Sequence, residues 1–149
     1  MNFDAIRIRP ASPEDGTVVR TLLDGADLPS SDIGSLSEGW VVAQAGDVVV
    51  GAAAIEVHPP FGLLRSAVVE PSWRGHGVGI ALTRDRLAWA RMRGLVALYL
   101  LTTTAPDFFA RFGFQAVPRV SAPPEIRASR EFAELCPDTA VLMAIELNA

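Results

Sequence analysis

The 149-residue sequence contains no lysine; all 13 basic residues are arginine. That removes lysine as a catalytic amine and excludes a Walker-type phosphate loop, which needs one. The single cysteine, Cys136, rules out an internal disulfide framework and fits a reducing compartment. The two histidines, His58 and His76, lie far apart, and no cluster has the ligand spacing of zinc, so no metal is expected. No apolar run approaches the ~18 residues of a membrane span. The N-terminal stretch MNFDAIRIRPASPEDG carries charge where a signal peptide would have its apolar core. A net charge of −4 makes nucleic acid a poor electrostatic partner. The expectation is a soluble cytoplasmic protein with neither a membrane nor a nucleic-acid partner.

What remains has ordinary globular composition, 50% hydrophobic and 20% charged, and a single domain over residues 1–149 is expected. AIRIR alternates with period two and reads as a strand. SPEDG then starts a helix, with Ser12 as N-cap and Pro13 in the first position, ending near Gly25 to Pro29. After the polar connector SSDIGSLSEG, WVVAQ and VVVGAAAIEVH form a hairpin about AGD, and PPFG turns the chain into LLRSAVV. The run from Ile80 to Arg93 is a helix with Leu82, Leu87 and Met92 on its apolar side, four arginines on other faces, and Gly94 as its stop. LVALYLL is a buried strand. TTTAPDFFARFGF gives a helix capped by Thr104 and stopped by Gly113. QAVPRV is a weak strand, PPEIRASREFAEL is partly helical, and TAVLMAIEL is the last strand. The order β α (α) β β β α β α β α β predicts an α/β fold around a mixed sheet.

The chemistry concentrates in Glu70 to Gly79, EPSWRGHGVG. A dinucleotide-binding fingerprint would need its third glycine at Ile80, so that pattern fails. What is left is R-x-x-G-x-G at a strand-to-helix junction. Glycines let a ligand approach the backbone closely, and the first amides of a helix are free to converge on a pyrophosphate. The positive end of the helix adds to this, and Arg74 stands ready for a further phosphate contact. The competing reading is a tight loop that only caps the helix.

The stretch LLRSAVVEPSWRGHGVGIAL resembles the acetyl-CoA-binding core of the GNAT superfamily of N-acetyltransferases, and the element order extends the likeness over essentially the whole chain. The resemblance implies an α/β, GNAT-like fold. That fold has a mixed, mostly antiparallel sheet of six to seven strands, helices on both faces and a splayed central strand pair. It implies acetyl-CoA as co-substrate. On the family pattern Q/R-x-x-G-x-G/A, the pyrophosphate falls to Arg74, Gly75, His76, Gly77, Val78 and Gly79. The pantetheine arm pairs with the backbone of Val68 and Val69. FFARFGF is similar to the family segment FYxxxGF, which places Phe108, Phe109 and Arg111 beside the cofactor, with Thr103 at the preceding strand end. Core packing is the competing reading of both phenylalanines. Phe109 stands where many members carry a tyrosine that protonates the departing thiolate. LYLLTTTAPDFFARFGF and PPEIRASREFAELCPDTAVLM resemble the acetyltransferase part of N-acetylglutamate synthases, and more closely the small arsenic-resistance-associated N-acetyltransferases. Where the synthases have a basic stretch before the last strand, this chain has LCPD, which argues against glutamate as the acceptor. Dimers are common in the family, so a homodimer is compatible with the resemblance.

Acetyl transfer to an amine needs a neutral amine, a polarised thioester and a donor for the oxyanion. The donor can be the backbone N–H of Val68 or Val69. Glu56, His58, Glu70 and Asp107 are the candidate bases. Glu56 lies in an otherwise apolar strand and is the choice, with a cross-strand ion pair to Arg65 as the competing reading. His58, against two prolines in a turn, is expected to be exposed, Glu70 to face solvent, and Asp107 to serve its helix dipole. Arg65 and Ser66 are candidate substrate contacts, as is Asp32 in the polar connector. Cys136 is either a thiolate arsenic ligand or a small buried hydrophobe. The expected activity is acetyl-CoA-dependent N-acetylation of a small amino-acid-like or arsenical amine by direct attack. A non-catalytic acyl-CoA-binding sensor or partner module is the alternative.

Overall fold

The computed structural model describes residues 6–28, 30, 36, 38–130, 132–133 and 139–147. Along the chain run β1 (Ile6–Pro10), α1 (Gly16–Gly25), β2 (Trp40–Ala45), β3 (Val48–His58), β4 (Phe61–Val69), α2 (Val78–Met92), β5 (Ala97–Thr102), α3 (Pro106–Ala110), β6 (Gln115–Ala116), α4 (Pro124–Arg127) and β7 (Val141–Glu146). The strands form one mixed sheet in the order β1-β2-β3-β4-β5-β7-β6. The β4–β5 pair is parallel, whereas β1–β2, β2–β3, β5–β7 and β6–β7 are antiparallel. This is the α/β fold around a mixed sheet expected from the element order, with the mostly antiparallel pairing that the family resemblance implies. No helix among the described residues is long and apolar enough to cross a membrane.

The chain divides into two compact units, Met1–Ile55 with Ser66–Ala88, and Glu56–Arg65 with Trp89–Ala149. In the first, side chains of β2 and β3 alternate between two faces, except that a register shift between Ala43 and Gln44 leaves Val50 unpaired and puts it on the face of Ala53. Trp40, Val42, Ala52 and Ala54 pack with Val19 and Leu23 of α1. Val41, Ala43, Val50 and Ala53 pack with Val78 and Leu82 of α2. Gly51 lets α2 come close: a Cβ there would stand 2.9 Å from the Val68 carbonyl oxygen and 3.1 Å from side-chain atoms of both Val78 and Leu82. The first turn after β1 is 3₁₀, over Pro13–Asp15, rather than the α-turn expected from Ser12. Asp15 explains it, since its Oδ2 accepts from the Ser12 amide at 2.8 Å while the carboxylate takes two bonds from Arg9.

Two expectations for α2 are corrected. Arg86 is buried and donates from Nη1 to the Gly39 carbonyl oxygen at 2.9 Å, so one arginine lies on the packed side. Met92 is 87% exposed. Leu82, Arg86 and Ala90 recur every fourth residue on the buried face, and Met92 lies about 200° round from Ala90.

In the second unit, β5 is flanked by β4 and β7, and Leu63, Leu142, Ala122 and Ile126 of α4 form a core with Phe61, Tyr99 and Leu101 against it. The β4–β5 ladder runs only from Phe61↔Ala97 to Leu63↔Tyr99. Thr104 does not cap α3; the N-cap is Ala105, whose amide is taken by Thr102 Oγ1 at 3.0 Å. Gly113 ends the segment with φ +103°, a conformation open to glycine.

Candidate active site

The glycine loop belongs to the first unit. Pro71–Trp73 form a 3₁₀ turn, Trp73 is buried beneath the loop, and His76 meets its ring edge-to-face at 6.5 Å. Gly75 and Gly77 have φ of +82° and +85°, which β-carbon-bearing residues adopt only under strain. A Cβ at either would meet nothing within 4 Å. These glycines are therefore required by backbone conformation, and they leave open space above the chain. The Ala81 amide donates to the Gly77 carbonyl at 3.0 Å, the first bond of α2. The amides of Val78, Gly79 and Ile80 precede that bond, so the helix itself does not use them. Arg74 is exposed beside them. Converging free amides, a helix N-terminus and an exposed guanidinium suit a pyrophosphate.

The strand that leads into this loop holds a feature with no signature in the apolar pattern. Ser66 has φ +59°, the left-handed region. Before it, Phe61, Leu63 and Arg65 share one face of β4. Regular alternation would keep Ala67 and Val69 on that face, in phase through the Arg65–Glu56 pair with Ala52 and Ala54. Instead Ala67 and Val69 pack with the α2 cluster, and Val68 packs with the α1 cluster. The strand inverts its phase at Ser66, as a β-bulge does. Ser66 is itself buried.

In the second unit, Arg65 Nη1 lies 3.6 Å from Glu56 Oε1, so the cross-strand ion pair is present without hydrogen-bond geometry. The Arg65 side chain is 3% exposed and that of Glu56 33%. Glu56 Oε1 is buried and has no hydrogen-bond partner. The same is true of His58 Nε2, which corrects the expectation of an exposed turn residue. The strand simply runs on to His58, and the turn is confined to Pro59 and Pro60. Tyr99, on the same face as Phe61 and 5.9 Å from it ring to ring, has its hydroxyl pKa raised by burial and by Glu146. At the far end of β5, Thr103 is exposed. Phe109 is buried between Phe108 and Phe114, with ring separations of 5.1 and 5.9 Å, the core-packing arrangement. The Arg111 guanidinium lies over the Phe108 ring at 5.2 Å. Glu70 accepts from the Ser72 amide at 3.0 Å, and its carboxylate is used by the turn. Asp32 and Cys136 lie outside the described residues.

Residues 36–116 match the acetyltransferase (GNAT) domain family. An amino-acid acetyltransferase of Mycobacterium tuberculosis is 31% identical over 140 residues, 87% of this chain and 76% of the relative. The chain belongs to the GNAT acetyltransferase family. The crystal structure of Rv2747 from Mycobacterium tuberculosis in complex with CoA and NLQ superposes with a TM-score of 0.82 at 26% identity, over 95% of this chain and 99% of that one. N-acetylglutamate synthase from Neisseria gonorrhoeae, complexed with coenzyme A and L-arginine, shares the fold at a TM-score of 0.82 and 19% identity. That match covers 97% of this chain but 34% of the synthase.

As a GNAT member the protein is an acetyl-CoA-dependent N-acetyltransferase. The open space over Gly75 and Gly77 and the unused amides at the start of α2 fit the cofactor's pyrophosphate. No group of three or more His, Cys, Asp or Glu residues among the described ones could hold a metal ion. Sequence reasoning weighed His58 as a base and set it aside as exposed, although the strand VVVGAAAIEVH already put it two residues from Glu56 and so on the same face.

Proposed function

We propose that the acceptor is a small molecule of the amino-acid class and that residues 1–149 act as one acetyltransferase domain. The observation that carries the acceptor class is the Glu56–Arg65 pair, a carboxylate and a buried guanidinium side by side on one sheet face. An α-amino acid brings the complementary ammonium and carboxylate, and Arg65 can take a carboxylate with its fork. The name of the Mycobacterium tuberculosis amino-acid acetyltransferase and the match to Rv2747 with CoA and NLQ support the same class. The single-domain reading is supported by the family match, which runs through both units.

In this reading Arg74, Gly75, His76, Gly77, Val78 and Gly79 hold the pyrophosphate, and the backbone of Val68 and Val69 pairs with the pantetheine arm. One of those two amides donates to the oxyanion. Thr103, Phe108 and Arg111 flank the cofactor, and Phe109 supports them from the core. Glu56 takes a proton from the acceptor ammonium. The neutral amine then attacks the thioester carbon, the N–C bond forms, the C–S bond breaks and coenzyme A leaves as thiolate. The nitrogen's surplus proton neutralises the thiolate, which a thiol-like pKa lets leave without the tyrosine missing at Phe109. Ser66 and Asp32 are further acceptor contacts in this proposal.

The test is thiol release from acetyl-CoA with amino acids, polyamines, aminated arsenicals and peptides as acceptors. Amino-acid-dependent release is expected. Release with polyamines or peptides alone overturns the acceptor class, and release with an aminated arsenical alone moves it to the arsenical amines.

A further inference from the structure

Among the described residues, two buried side-chain polar atoms lack a hydrogen-bond partner, Glu56 Oε1 and His58 Nε2, and they belong to residues two apart on one strand. Side chains at i and i+2 share a face of the sheet, about 6.7 Å apart along the strand. An unsatisfied buried polar atom loses its water without gaining a partner, so a pair of them calls for a common one. Both atoms can be met by one water held between them, since a buried water bonds two to four polar groups. The two groups are also matched in chemistry. A carboxylate accepts a proton from an amine, and imidazole is the side chain that takes up and releases protons near neutral pH. His58 as a residue is only part buried, although its Nε2 is buried.

The surroundings in the second unit favour this path. Arg65 on β4 is held 3.6 Å from Glu56, a cation beside the carboxylate. Tyr99 on β5 and Glu146 on β7 are the other titratable groups that the register places on this face. α4 packs Ile126 onto the core and keeps Glu125 and Arg127 exposed.

We propose that His58 is a proton-relay residue acting through Glu56. The proton that the Glu56 carboxylate takes from the acceptor ammonium passes to the bridging water as that water gives one of its own to His58 Nε2. The imidazolium releases its Nδ1 proton to solvent, carboxylate and water regain their starting states, and the ring is left as the Nε2–H tautomer, which returns to the Nδ1–H form by proton exchange with water before the next turnover. One proton leaves the substrate and one reaches bulk water, with no change in oxidation state. This inference rests on the reading of Glu56 as the base, and the experiment separates the two.

The chain has 2 histidines, so in a His76→Gln background the imidazole NMR signals belong to His58 alone. The His58 titration midpoint is expected to fall by at least 0.5 pH units when Glu56 is changed to Gln. In the otherwise unaltered protein, His58→Gln is expected to lower kcat about tenfold with the amino acid that supports thiol release, with little change in KM. Tens of millimolar imidazole should restore several-fold of that loss. An unchanged midpoint overturns the relay, whatever the turnover. A kcat for His58→Gln equal to that of its parent, or a loss that imidazole leaves untouched, overturns it as well. Full turnover in Glu56→Gln instead overturns the base assignment itself. Should no amino acid serve as an acceptor, the NMR midpoint still decides the coupling.

Discussion

Arg65 holds its guanidinium 3.6 Å from Glu56 Oε1 from the neighbouring strand, close enough for charge attraction and too far for a hydrogen bond. The pair is thus coupled electrostatically while the carboxylate oxygen stays available. Glu56→Gln keeps the shape and removes the charge, so kcat/KM should fall by roughly 10²–10⁴ while the fold survives. Circular dichroism and steady-state kinetics check this together, and retention of near-native kcat/KM would assign the proton to another group.

The glycine loop yields a sharper test, because its glycines face open space. Gly77→Arg should abolish coenzyme A binding by filling that space. The melting temperature should drop only by the few degrees expected from about 1–2 kcal/mol of backbone strain. Calorimetric titration with coenzyme A provides the readout. Unchanged affinity in a folded variant is incompatible with the pyrophosphate assignment.

Gly51 links packing to the cofactor strand. Alanine there puts a Cβ 2.9 Å from the Val68 carbonyl oxygen, a backbone atom that can move only with β4. A loss of roughly 1–3 kcal/mol is expected from overpacking, together with weaker coenzyme A binding as Val68 shifts. Gly25→Ala, with no neighbour within 4 Å of its Cβ and, like Gly51, no positive φ, serves as the uncrowded control. An equal stability loss in both variants means crowding is not the cause.

Arg9 bridges Asp15 with bonds of 2.9 and 3.0 Å, and the Asp15 pKa is held down to about 2, mainly by that pairing. The folded pKa lies below the unfolded value of about 3.9, so the stabilisation is full above about pH 4. It is lost as the pH falls through about 2. Asp15→Asn should cost roughly 1–2 kcal/mol at pH 7, with a smaller difference from wild type near pH 2. Urea unfolding at both pH values checks it; a gap that is constant with pH points to packing rather than charge.

What could be read without coordinates was whatever short-range physics controls. The order of strands and helices followed from apolar periods. The loop Arg74–Gly79 followed from glycines that only a positive φ or an open backbone explains, and Gly75 and Gly77 do have positive φ. The Glu56–Arg65 pair followed from hairpin register, which a short turn nearly fixes. Outside that reach lay the start of α3, where Ala105 rather than Thr104 is the N-cap and Thr102 Oγ1 takes the Ala105 amide, because a cap depends on a backbone path that composition does not set.

The sequence by itself determined the α/β architecture, the glycine-rich loop at the strand-to-helix junction and the presence of a carboxylate within an apolar strand. Each is local, set by backbone preferences and by the alternation of side chains along one element. Only the tertiary structure decided the rest. It inverted the phase of β4 at Ser66, so that Val68 and Val69 face the way they do. It buried Arg86 on the Gly39 carbonyl while exposing Met92, and it left Glu56 Oε1 and His58 Nε2 buried and unpartnered on one face. Those outcomes depend on which surfaces meet across the fold, and burial is a property of the neighbours a residue acquires rather than of the residue.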